Sequence, residues 1–187
     1  MDRTAFVDES QSNAQADPNT YILAAAIVGF DSFDPVREQM RGLLIKRGGK
    51  LHWRDEPAKR QTTIMEVISA LKLEHIVVVR SKPTPDRPER CRRLCLEQLC
   101  WQLEQLGVSE MVLESRGPAD DKRDRDALDA LRARKIVTAQ LRMAHQVGRV
   151  EPLLWVPDAV CGAVVADRTG TPSYLEQISG SCTVVEL

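Results

Sequence analysis

The sequence has 187 residues, 43% hydrophobic and 28% charged, with a formal net charge of −1. That length suits one domain with a proper core, and the charge excludes a bulk field that attracts nucleic acid, so a polyanion would need local basic patches or bound cations. No apolar run of about 18 residues and no secretory signal occur, so a cytoplasmic protein without a membrane span is expected.

The first strand is expected over Thr4–Ser10, an apolar run that ends in Asp8, Glu9 and Ser10. Polar turn residues with Pro18 follow, then Tyr21–Phe30 (YILAAAIVGF), which reads as a central strand paired with the first in an antiparallel hairpin. A helix starts near Asp31 or Ser32 and is stopped by Gly48-Gly49. After the irregular stretch RGGKLHWRDE, helical spacing returns over Gln61–Leu73. Glu74–Arg80 carries IVVV and reads as a buried strand. The loop Ser81–Pro88 holds three prolines, and Glu89–Gly107 is a helix with an apolar stripe that includes Cys91, Cys95 and Leu99. Val108–Glu114 alternates as a strand, Ser115–Arg125 is a charged loop, and Asp126–Val147 is expected to be one long helix. Pro152–Val156 (PLLWV) is expected to be a short buried strand, with Asp158 capping a helix over Ala159–Ala166. That helix has small residues at 159, 162, 163 and 166, a stripe that lets it lie close to a sheet. The tail Ser179–Leu187 is expected to fray, with CTVVEL as an optional edge strand.

This order gives an α/β protein: a mixed five-stranded sheet with helices on both faces, in one domain over 1–178 with a short tail over 179–187. The five cysteines lack the paired spacing and nearby histidines of a zinc site, and they read as reduced, mostly buried thiols.

Three acids stand at comparable places. Asp8 follows the first strand, Glu114 ends the VSEMVLE strand, and Asp158 follows PLLWV. Each alone is an ordinary turn or cap residue. If they converge they repel one another unless a cation sits between them. Hard divalent ions such as Mg²⁺ or Mn²⁺ take oxygen ligands of this kind. A pair of them can activate a water and stabilise the leaving oxygen of a phosphodiester. Basic residues cluster at Lys46-Arg47-Lys50, Arg90-Arg92-Arg93 and Arg132-Arg134-Lys135, and Arg116 follows Glu114 by two residues. Arg116 and Lys50, with Ser10 beyond Asp8, are expected on the substrate side of the site. Glu9 points away from Asp8 if the strand continues, toward solvent or a salt bridge. His75 and His145 read as structural.

The segments FVDES, YILAAAIVGF, KLHW, VLESR and VPDAVCGAV together resemble the ribonuclease-H-like superfamily. More narrowly they resemble the bacterial family catalogued as domain of unknown function 3800. That family often has glycine after DES, whereas Gln11 stands here. The resemblance implies a metal-dependent nuclease site built from Asp8, Glu114 and Asp158, with nucleic acid, RNA or DNA, as partner. It also places His52 near the site, where it would contact a phosphate or shuttle a proton. Two other readings stay open: a catalytically inactive binding module on the same fold, and a phosphodiesterase for a small nucleotide.

Overall fold

The computed structural model describes residues 3–46, 48–82, 84 and 86–187. In chain order it contains β1 (Arg3–Gln11), β2 (Thr20–Gly29), α1 (Phe33–Gly42), α2 (Ala58–Ala70), β3 (Glu74–Ser81), α3 (Pro88–Gln105), β4 (Glu110–Glu114), α4 (Pro118–Ala133), β5 (Arg142–Gln146), α5 (Trp155–Arg168), the short α6 (Ser173–Glu176) and β6 (Cys182–Glu186). Arg47, Pro83 and Pro85, which the expected basic cluster and proline loop include, lie outside the described residues.

The strands form one sheet in the order β5-β4-β1-β2-β3-β6. β2 runs antiparallel to both β1 and β3, whereas β4 pairs parallel with β1 and β5, and β6 pairs parallel with β3. Strand alternation divides the core in two. Phe6, Ile22, Ala24, Val77, Val79 and Val112 face a layer built from α1, α2 and α5. Val7, Leu23, Ala25, Ile76, Val78 and Leu113 face α3 and α4. The continuous apolar run of β2 follows from this, since its two faces are both covered.

The sheet has six strands, and the expected five differ from it in three places. PLLWV is not a strand: Pro152–Leu154 make a turn of 3-10 helix and Trp155 begins α5. The Glu151 carboxylate starts this helix by accepting from the Leu153 N–H (3.0 Å), and Arg37 holds it with two hydrogen bonds (3.0 and 2.7 Å). The long helix expected over Asp126–Val147 ends at Ala133, just before Lys135, whose φ is +57°. Residues 142–146 are instead the edge strand β5. The tail takes its optional form, with Cys182–Glu186 pairing along β3.

All five cysteines are free, and four are buried. Among the described residues, no helix is long and apolar enough to cross a membrane.

Candidate active site

Val7 and Leu113 are register partners on the parallel strands β1 and β4, so the next pair along is Asp8 and Glu114. Both follow residues of the α5 side, Phe6 and Val112, by two positions, and so share that face. α5 lies on the same face, close enough for the Cys161 thiol to reach the Asp8 carbonyl (3.6 Å). Its first turn carries Asp158. Asp8, which lies within β1 rather than after it, Glu114 at the end of β4 and Asp158 from a helix therefore line a single cleft of about 1020 Å³.

Their electrostatics bear this out. Burial, then the charges of Asp158 and Glu114, push Asp8 up to about 8, against the Glu9 N–H and Lys50, which favour its anion. Burial is also the main cause that raises Asp158, partly offset by the Trp53 N–H, which donates to its Oδ2 at 2.7 Å. Glu114 is paired: Lys50 Nζ lies 2.7 and 2.5 Å from its two oxygens.

The segment holding Lys50 and His52 is pinned by Trp53. The Trp53 ring packs directly on Gly162 of α5 and edge-on against Tyr174, with centroids 5.1 Å apart. Gln61 donates to its carbonyl (3.1 Å). The small stripe of α5 thus does two things: Ala159 and Ala163 fill the core under the sheet, and Gly162 receives the indole. His52 Nδ1 stands 3.7 Å from Asp158 Oδ1. Opposite, Gly148 leaves room for the Glu114 carboxylate, and Trp155 Nε1 donates to the Gly148 carbonyl (2.6 Å).

The cleft thus collects Asp8, Glu114, Asp158, Lys50, His52 and Ser10. Among the described residues, Ser10 Oγ donates only to the neighbouring Gln11 carbonyl (3.2 Å). Arg116 is not brought to the three carboxylates. It borders the cleft, but its guanidinium turns to Glu89 (2.8 Å), Asp124 (3.4 Å) and Glu9 (3.7 Å), because the half-buried Glu9 and the buried Asp124 form an anionic cluster on the α3–α4 side. Glu9 does point away from Asp8, and it is bound by Tyr21 and Arg92. Asp121 accepts from Ser115 and from the Arg116 N–H, so it serves the turn after β4. Sequence reasoning missed Gly148 and the Trp53 N–H. The latter had a signal, since tryptophan closes the KLHW segment.

The donors fit a hard divalent cation in chemistry: three carboxylates from three elements, two of them raised with like charge among the causes. Among the described residues, no group of three or more His, Cys, Asp or Glu side chains is already gathered as a metal cage. Lys50 supplies the positive charge at Glu114 instead.

No protein-family model and no curated protein matches the sequence. Solved structures do match the fold. The ribonuclease H2 from Pyrococcus horikoshii OT3 aligns with a TM-score of 0.59 and 13% identity, over 95% of this chain and 77% of that one. A chain of the PCNA:RNase HII complex from Archaeoglobus fulgidus gives 0.53 and 13%, over 95% and 78%. Bst-RNase HIII in complex with Mn²⁺ gives 0.52 and 12%, over 96% of this chain and 55% of that one. At these identities the likeness is one of architecture, and the architecture is ribonuclease-H-like.

Proposed function

We propose that this protein is a divalent-metal-dependent nuclease that hydrolyses phosphodiester bonds of RNA or DNA. One observation carries the reading: Asp8, Glu114 and Asp158, from β1, β4 and α5, line one cleft, where burial and then the charges of the other two acids raise Asp8 to about 8. Solved structures of the same architecture are ribonucleases, one of them bound to Mn²⁺, which supports the metal and the nucleic acid as ligands. The segments that resemble the domain of unknown function 3800 family fit the same reading, although no family model matches the chain.

Asp8, Glu114 and Asp158 would hold Mg²⁺ or Mn²⁺. When bound, such an ion supplies an activated water and charge stabilisation at the scissile phosphate. The chain's own groups do the rest. Lys50 neutralises Glu114 and stands ready to contact a phosphate oxygen. His52, half exposed at the cleft and close to Asp158, is placed to move a proton between solvent and the reacting oxygens. Trp53 holds both residues against α5. Ser10 lines the floor as a hydroxyl donor for substrate.

The test is cleavage of labelled single-stranded RNA, single-stranded DNA and RNA/DNA hybrid with Mn²⁺ or Mg²⁺, alongside a small cyclic dinucleotide. Cleavage of a polymer that drops at least about 100-fold in Asp8→Asn supports the nuclease. Turnover of the dinucleotide alone would move the reading to a nucleotide phosphodiesterase. No turnover, together with no Mn²⁺ binding by calorimetry, would leave the inactive binding module, which the Lys50–Glu114 pair favours.

A further inference from the structure

A second groove of about 620 Å³ lies between the N-terminal halves of α3 and α4. It belongs to the opposite face of the sheet from Asp8, yet it opens at the same end. β1, β3 and β4 all run in one direction, so α3, after β3, and α4, after β4, both start at the edge where Asp8 and Glu114 sit. Arg92 lines both the carboxylate cleft and this groove, so the two meet there.

Five arginines line the groove: Arg87, Arg90, Arg92, Arg93 and Arg123. Its acids are already answered. Asp86 is paired with Arg80 and with Arg90 (3.6 Å), Glu89 with Arg116 (2.8 Å), and Asp124 with Arg92 (2.7 Å). Arg123 is bound to Asp120. Arg87 and Arg93 are exposed, and among the described residues neither guanidinium has a hydrogen-bond or ion-pair partner. The chain as a whole is slightly acidic, so these unspent guanidiniums are a local surplus rather than part of a general field. They lie six residues apart, Arg87 just before α3 and Arg93 in its second turn, about 9 Å along the helix axis. That spread suits successive phosphates of a strand better than one small anion. The N-terminal ends of both helices add partial positive charge at the entrance.

We propose that the α3–α4 groove is the track along which one nucleic-acid strand leaves the carboxylate cleft, with Arg87 and Arg93 contacting its phosphates. The proposal takes its ligand class from the nuclease reading, but it is tested by binding without catalysis.

The experiment is fluorescence anisotropy in EDTA, with labelled single-stranded RNA, single-stranded DNA and RNA/DNA hybrid. It compares wild type, Arg87→Gln/Arg93→Gln, and a control that loses the same charge on the other face, Arg41→Gln/Lys59→Gln. All three should share one circular-dichroism spectrum and melting temperature, since these side chains are exposed. The groove variant should bind about fivefold more weakly at low salt, and its slope of log K against log[salt] should fall by about 2, one for each lost phosphate contact. The control should match wild type. Equal weakening in both variants, no change in the groove variant, no binding by wild type, or displacement by inorganic pyrophosphate as effective as by unlabelled strand would each overturn the track. Cleavage plays no part in this assay. A groove effect without any metal-dependent cleavage would keep the track and discard the nuclease, and cleavage without a groove effect would do the reverse.

Discussion

Two glycines near the cleft do opposite kinds of work. A methyl group on Gly162 would enter the Trp53 ring, a rigid group already wedged against Tyr174. A methyl on Gly148 would meet the Glu114 carboxylate, the free end of a flexible side chain. Gly162→Ala should therefore cost about 1–3 kcal/mol of stability through overpacking, with Trp53 fluorescence changed. Gly148→Ala should melt close to wild type yet lose most metal-dependent cleavage, because Glu114 must turn aside. Equal melting losses in both would refute this division. Asp8 shows the cost of the site itself. Its raised pKa means that its protonated form favours folding. That stability is present below the ordinary carboxylate value and is lost as pH rises toward about 8. In chelator, Asp8→Asn should be more stable than wild type at pH 8 by at least about 1 kcal/mol, with the gain shrinking toward pH 4. Chemical denaturation at the two pH values decides it.

Among the elements, β3 carries the least comfortable residue. His75 is 1% exposed, sits in register with Ala26 of β2 and Cys182 of β6, and among the described residues has no hydrogen-bond partner at either ring nitrogen. Burial pushes its pKa down to about 4. A depressed histidine leaves stability intact above its unfolded value of about 6.5 and removes it as pH falls toward 4. Asp8 titrates in an overlapping window with the opposite sign, so the clean measurement is a difference between variants. The stability of His75→Leu relative to wild type should rise by about 3 kcal/mol between pH 7 and pH 4. A flat difference would mean that the ring is solvated. The same strand was easy to read from sequence, as were β1, β2 and β4, because their apolar runs are buried in the middle of the sheet. β5 was not, since an edge strand with the pattern Arg-Met-Ala-His-Gln has little apolar alternation to show. Nor was the start of α5. A run buried on all sides has no period, and its helix signal was the charged Glu151 ahead of the proline rather than the apolar residues themselves. Asp8 and Glu114 were legible because each closes the apolar part of a recognisable strand, although β1 itself runs on past Asp8 to Gln11. Asp158 was legible by position but not by cause, since it belongs to a first helical turn. Arg116 was drawn away by Glu9 and Asp124, acids distant in sequence from its own turn.

At the scale of the molecule, the face opposite the cleft holds the strand ends in place. Glu9, the neighbour of Asp8 on β1, is bound by Arg92 of α3. Arg92 also grips Asp124 of α4 with two hydrogen bonds (2.8 and 2.7 Å), and Asp124 meets His145 of β5 (3.1 Å). Arg116, two residues after Glu114, joins both acids. One set of charges, with Arg92 and Asp124 buried at its centre, thus ties α3, α4 and β5 to the residues that flank two of the three cleft carboxylates. Burial alone would raise Asp124, but Arg92 and then His145 hold it well below the usual carboxylate value. Its contribution to folding is therefore present at neutral pH and is lost only as pH falls below about 4, under the window of His75. Cutting the set from one side leaves a buried charge unpaired. Arg92→Met should cost about 3–5 kcal/mol, whereas Arg92→Met combined with Asp124→Leu and Glu9→Gln should recover much of that loss. If the set only stabilised the fold, the recovered triple variant would bind Mn²⁺ as wild type does. If it also positions Asp8 and Glu114, the triple variant should melt near wild type while its Mn²⁺ affinity, read by calorimetry, stays at least about tenfold weaker, the range seen when groups that orient metal ligands are removed. Wild-type Mn²⁺ affinity in that variant would confine the charge set to stability.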